Sequence, residues 1–227
     1  RARHKVPFTS PQVRDIFEVP VGCAYARQKR FLWDTTLGRA TRAALAYMAE
    51  SGARFSDLGQ MRRSNVLWRV NGEVLRALQP ADRARLKAGD AAIVQPPPAK
   101  NDKFGTVFGD KPIYLPYDES YSYNAARALA DYLSCHPCRP EERTKQPLFA
   151  RDGRRDPLSY NESLDILRGL LTGIVPEPKR YSLHSFRAYF ACALLASGHS
   201  IGEIQALARW RSPQSVAVYA TLSADAY

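Results

Sequence analysis

The stretch Tyr181–Thr221, YSLHSFRAYFACALLASGHSIGEIQALARWRSPQSVAVYAT, reads as three helices with clear stop and start signals. Leu183 to Ser197 is a run of helix formers ending at Gly198, the residue type that most easily takes the left-handed turn closing a helix. Ser200-Ile201-Gly202-Glu203 has the spacing of a capping box and opens a second helix to Ala208. Ser212-Pro213 opens a third, to Thr221. His184 and Arg187 stand one helical turn apart and project from nearly one face. Such a pair beside a helix N-terminus is well arranged to hold a phosphate oxygen.

Upstream, Asn161 to Leu171 is amphipathic, with Leu164, Leu167, Leu170 and Leu171 on one face. Ser134 to Pro157 is rich in Pro and charge and reads as loop, and Asn124 to Leu133 as a helix. Two short apolar runs, Ala91–Gln95 and Ile113–Leu115, read as paired strands joined by a long turn bearing Lys100 and Lys103. Val66–Val70 is strand-like and meets a hairpin signal at Asn71-Gly72; Asp82–Lys87 is a charged, helical excursion. Earlier still lie helices over Ser56–Arg62, capped by Ser56 or Asp57, over Thr41–Glu50, stopping at Ser51-Gly52, and over Gln12–Phe17, opened by Ser10-Pro11. Between the last two comes a basic stretch, Tyr25–Arg30. The expected fold class is α+β, mostly helical with one small antiparallel sheet.

A chain of 227 residues with 45% hydrophobic and 11% aromatic residues can bury a core, which excludes a disordered tail. No run approaches the roughly 18 apolar residues of a membrane span, and no membrane partner is expected. The formal net charge of +11 creates a field that attracts polyanions, nucleic acid foremost. The excess is concentrated early: residues 1–42 hold nine Lys or Arg against three acidic residues. Of the four cysteines, Cys135 and Cys138 have C-x-x-C spacing, but no second ligand pair accompanies them, so a surface loop is expected rather than zinc or a disulfide framework. That cysteine usage fits a reducing, intracellular compartment.

Taken in order, Arg54, Lys100, His184-x-x-Arg187, Trp210 and Tyr219 resemble the catalytic domain of tyrosine recombinases, the phage-integrase family. The resemblance runs from about Thr9 to Thr221 and is most specific in the last forty residues, through Ala191, Gly198, Ile201, Ile204 and Leu207. It implies the family's fold and a site-specific recombinase acting on double-stranded DNA. Residues 36–227 would form the catalytic domain and residues 1–35 a basic lead-in, part of that domain or its linker. The family's N-terminal core-binding domain is expected to be absent. The long hairpin Pro96–Pro116 resembles recombinases of eukaryotic mobile elements. The alternatives are a catalytically silent DNA-binding protein descended from a recombinase, or a relaxing enzyme resembling type IB topoisomerases.

The resemblance implies that the Tyr219 hydroxyl attacks a phosphodiester, giving a 3′-phosphotyrosyl link and a free 5′-hydroxyl. A phenol with a pKa of about 10 needs a proton acceptor or nearby positive charge to do so at neutral pH. Arg54 and Arg187 would clamp the non-bridging oxygens, His184 would manage the nucleophile's proton, and Trp210 would donate its indole N–H to a phosphate oxygen where relatives often carry histidine. Lys100 would protonate the departing oxygen, with Lys103 as its rival, and Asp57 would brace a catalytic group. Arg27, Lys29, Arg30, Arg39 and Arg42 are the candidate DNA-binding residues. No metal or cofactor is expected, because guanidinium and ammonium groups take that place at the phosphate. A homo-tetramer assembled on DNA is expected, located with the DNA: the nucleus in a eukaryote, cytoplasm or nucleoid in a bacterium.

Overall fold

A computed structural model describes residues 6–98, 111–210, 212–217 and 219. Lys100, Lys103, the turn that carries them and the far end of the third C-terminal helix lie outside the described residues.

Helix α1 (Ser10–Glu18) begins two residues ahead of the expected Gln12 because Thr9, not Ser10, caps it, in a reciprocal box with Gln12. A hairpin follows, β1 (Cys23–Tyr25) paired antiparallel with β2 (Lys29–Phe31). Helix α2 (Thr36–Ser51) starts five residues earlier than expected: Thr35 accepts from the Gly38 N–H, and Gly52 closes the far end at φ +62°. Gly38 is required rather than disruptive, because a Cβ there would lie 2.0 Å from the Leu32 carbonyl oxygen. Helix α3 (Phe55–Leu58) is one turn long and stops at Gly59, short of the expected Arg62; Arg62 instead bridges to Pro147.

The main sheet holds β3 (Val66–Val70), β4 (Glu73–Leu75), β5 (Ala91–Val94) and β6 (Ile113–Pro116) in the order β4-β3-β5-β6, antiparallel throughout. Asn71-Gly72 forms the β3–β4 turn, and the charged helix expected over Asp82–Lys87 is instead the single turn α4 (Pro80–Arg83), which ends before Ala84. The expected pairing of the two apolar runs is present, with Ala92 opposite Leu115. The expectation of a single sheet is corrected: the β1–β2 hairpin is a second one.

Helices α5 (Ala125–Cys135), α6 (Tyr160–Leu171), α7 (His184–Ala196), α8 (Ile201–Leu207) and α9 (Gln214–Ala217) complete the fold. Helix α2 packs chiefly on α5 and α7, and its Ala40, Ala44, Tyr47 and Met48 are buried in one continuous core with Phe8, Phe17 and Phe31 from the early segment. Fully burying a side chain the size of Met48 or Phe31 contributes about 1.5–3 kcal/mol. A second, smaller apolar cluster joins Ala191, Ile204, Ala208, Trp210 and Val216. Among the described residues no helix is long and apolar enough to cross a membrane.

Candidate active site

The site is assembled where α2 ends, α7 begins and the last short helices fold back. Gly52 turns the chain out of α2 and leaves its carbonyl without a helical partner. The Arg187 guanidinium donates from Nη1 to that oxygen. Its other contact is the Trp210 ring, whose centroid lies 4.3 Å from the guanidinium carbon. Arg187 is only 5% exposed, so it is held between a carbonyl and an aromatic face in a fixed orientation.

His184 is set one turn earlier by a tight backbone arrangement: the Ser182 N–H donates to Ser185 Oγ (3.1 Å) and the Ser185 N–H returns to the Ser182 carbonyl (2.8 Å). From the early segment, Phe8 stacks on Tyr181 at 5.0 Å and packs against Phe186, fixing the start of α7 from behind. His184 Nε2 lies 3.2 Å from the Tyr219 hydroxyl. The Tyr219 ring in turn packs on Trp210, centroids 5.7 Å apart.

Trp210 reaches this position through a backbone reversal. Arg209 adopts φ +54°, and the Trp210 N–H bonds back to the Gln205 carbonyl, so the chain leaves α8 through a left-handed turn without glycine. Trp210 is 2% exposed, yet its indole N–H has no hydrogen-bond partner among the described residues. A buried, unused donor costs about 1–3 kcal/mol unless an acceptor arrives.

Arg54 follows the α2 turn and lines a narrow cleft of about 40 Å³ together with Arg187, Asp57, Tyr47 and Arg209. Asp57 accepts from the Arg54 backbone N–H (3.3 Å), pinning the start of α3. The cationic groups of the cluster repel one another. Burial, and then repulsion by Arg54, pulls the Arg187 pKa down to about 9. Burial and then the Arg187 and Arg54 charges lower that of His184, favouring neutral imidazole. Burial raises that of Tyr219, with Arg187 opposing. A bound phosphodiester would relieve all of the cationic strain at once.

The structure thus brings together Arg54, Asp57, His184, Arg187, Trp210 and Tyr219. The candidate DNA-binding residues divide. Arg27, Lys29 and Arg30 are exposed on the β1–β2 hairpin, with Ala26, Arg27 and Gln28 all at positive φ in its tip. Arg39 and Arg42 lie at the opposite end of α2 from Gly52, half-buried, Arg39 donating to Cys135 Sγ and Arg42 to the Ser122 carbonyl (2.9 Å). Arg209 is the residue the sequence reading passed over: it lines the cleft, and its Nη1 donates to the Lys111 carbonyl (2.7 Å), tying α8 to the base of the lysine-bearing hairpin. Its only signal was its place before Trp210 without a glycine to end the helix. Among the described residues no group of His, Cys, Asp and Glu could hold a metal ion, and all four cysteines are free.

The phage integrase family matches residues 113–225. The carboxyl-terminal part of the chain is thus similar to that family. No curated protein sequence is similar enough to match. Among solved structures, XerA recombinase is 16% identical with a TM-score of 0.57, covering 100% of this chain and 62% of the other. The XerH site-specific recombinase in a post-cleavage complex with its palindromic difH substrate is 14% identical with a TM-score of 0.57, covering 95% of this chain and 49% of the other. The Tn1549 transposon integrase with transposon right-end DNA is 12% identical with a TM-score of 0.55, covering 98% and 63%. These likenesses carry the fold, which is that of the tyrosine recombinase catalytic domain. The chain spans about half to two thirds of the length of these relatives.

Proposed function

We propose that this chain is the catalytic part of a site-specific DNA recombinase that breaks and rejoins strands through Tyr219. The observation that carries the reading is the 3.2 Å contact between the Tyr219 hydroxyl and His184 Nε2, whose pKa burial lowers, beside an Arg187 held against Trp210. The step balances as follows. The phenolic oxygen forms a bond to phosphorus, the phosphorus–O5′ bond breaks, and the phenolic proton passes to His184 Nε2. The leaving 5′-oxygen takes a proton from a cation, a role the family resemblance gives to Lys100. Arg54 and Arg187 stabilise the charge spread over the non-bridging oxygens, and the unused Trp210 N–H supplies a further donor.

DNA-bound relatives such as the XerH complex support double-stranded DNA as the substrate and partner. Strand exchange between two duplexes requires more than one nucleophile, so we expect protomers to assemble into a tetramer on DNA. Incubation with a nicked suicide duplex is expected to trap a covalent protein–DNA adduct, unaffected by a chelator. Tyr219→Phe is expected to abolish it; an adduct that persists in that variant, or one lost with EDTA, overturns the mechanism. Light scattering is expected to show no stable tetramer until DNA is added.

A further inference from the structure

At the far end of α2, about 18 Å along the helix from Gly52, an open cavity of about 400 Å³ gathers Arg39 and Arg42 of α2 with Arg127 of α5. Arg42 is pre-set. Its guanidinium lies 5.3 Å from the Trp33 ring centroid and 5.8 Å from that of Phe17, and it donates to the Ser122 carbonyl. Arg127 is steadied by donating to the Glu119 carbonyl (3.1 Å). Ser122 lines the same cavity, and its hydroxyl is buried without a hydrogen-bond partner among the described residues.

Two acidic side chains also line it. Asp131 is already committed, accepting from Arg83 Nε at 2.7 Å, and Asp34 is exposed to solvent at the rim. The cavity therefore keeps a positive excess, and Arg127 repels Arg42 across it. Like charges held together beside an unsatisfied hydroxyl are the arrangement an oxyanion completes.

We propose that this cavity is a second oxyanion site, separate from the Arg54–Arg187 cluster, that takes the phosphate of a phosphate ester between Arg42 and Arg127. The volume exceeds that of a bare phosphate ion and leaves room for the ester's organic part. The chemistry is shared by two sources, a free nucleotide and a backbone phosphate of bound DNA, and the inference does not depend on the recombinase reading.

The chain's three tryptophans make the test local: Trp33 lines this cavity, Trp210 the catalytic cluster, and Trp68 is buried in the main core. Inorganic phosphate is titrated into the full chain while the indole N–H resonances are followed by NMR. The Trp33 signal, whose N–H donates to the Val19 carbonyl at 2.8 Å, is expected to move and saturate. In Arg127→Gln the midpoint of that movement is expected at about tenfold higher phosphate, the loss of one charge-assisted contact, with the Trp210 response unchanged. Arg127 is half-exposed, so the variant is expected to fold, as an unchanged amide spectrum elsewhere will show.

A Trp33 signal that stays still while that of Trp210 saturates overturns the proposal, as does a response equal in both proteins. Movement of Trp33 with none at Trp210 sustains it while counting against the catalytic reading. Two further arms separate the sources. If DNA fills the site, Arg127→Gln lowers the slope of log affinity against log salt by about one. If a free nucleotide fills it, that slope is unchanged and adenosine monophosphate moves Trp33 at lower concentration than inorganic phosphate does.

Discussion

The two apolar clusters of this molecule divide the proposed chemistry unequally. Arg54 and the start of α7 are anchored on the large core, through α2, Phe8 and Phe186. Tyr219 hangs on the small one, where Ala191, Ile204, Ala208, Trp210 and Val216 are the buried members and Leu194 and Leu195 remain partly exposed. The half of the proposed site that would hold the phosphate thus rests on the larger core, while Tyr219, the proposed nucleophile, sits on the smaller cluster. Local opening free energy follows buried apolar contact, so the nucleophile's segment should open well below the global unfolding energy. Positioning and release can then be controlled separately.

The largest expected effects split the cationic pair. Arg54→Ala and Arg187→Ala each remove one donor to the phosphate and are each expected to slow adduct formation about a hundredfold or more. Only Arg187→Ala should also lower stability, because it empties the space between the Gly52 carbonyl and the Trp210 ring. Adduct kinetics beside denaturant unfolding will show whether the two losses separate. Equal stabilities for both variants would mean that Arg187 is not the link between the clusters.

Gly52→Ala attacks that link from the other side. The position has φ +62°, and a Cβ would meet the Phe190 ring at 2.6 Å. Left-handed strain in a non-glycine residue costs about 1–3 kcal/mol, before the ring is displaced. Since Phe190 packs on the small cluster and Gly52 ends a helix of the large one, this variant is expected to depress the global midpoint and the adduct rate together.

A smaller, sharper comparison removes the same atoms from each cluster. Val66 and Val216 are both fully buried, and Val→Ala costs about 1.6 kcal/mol at roughly 0.8 kcal/mol per methylene. Val66→Ala is expected to lower global stability by about that amount with little change in adduct rate. Val216→Ala should leave the global midpoint nearly unchanged and instead speed amide exchange in α8 and α9. Exchange measurements that show both variants altering the same amides would dissolve the distinction.

Much of the architecture was legible because it rests on local signals. The Ser200–Glu203 box, the Asn71-Gly72 turn and Gly52 each satisfy a specific backbone need, and each stands where the residues placed it. The β1–β2 hairpin was not legible: its strands are three residues long, and its tip puts Ala26, Arg27 and Gln28 at positive φ with no glycine or asparagine to announce it. The first turn of α2 was not legible either: the reason for glycine at position 38 is its packing against Leu32, which only the tertiary structure reveals. At the site, the residue types were readable from their order, but the clamp on Arg187 was not. A carbonyl at residue 52 and a ring at residue 210 meet only through tertiary packing. Arg209 escaped for the same reason, since its partner is a backbone oxygen almost a hundred residues away.

The subtlest contrast between the regions is in pH dependence. Glu50, in α2, is half-buried where it accepts from the Ala125 N–H (3.0 Å) and the Tyr121 hydroxyl (3.1 Å); desolvation raises its pKa to about 7. Between its unfolded value near 4.5 and that raised one, the folded state binds more protons, so Glu50 makes stability fall as pH rises through this window. His184 acts with the opposite sign. Its folded pKa is lowered below 6.5, chiefly by burial and then by Arg187 and Arg54, so the unfolded chain takes up its proton first. Its contribution therefore makes stability rise with pH up to about the unfolded value. Glu50→Gln is expected to remove the falling contribution and leave adduct formation unchanged. His184→Gln is expected to remove the rising one and also to abolish the acidic limb of the adduct rate, because a protonated imidazole cannot accept the Tyr219 proton. Denaturation midpoints and adduct rates at pH 5, 6, 7 and 8 separate the two; an acidic limb that survives in His184→Gln would assign the nucleophile's proton to another group.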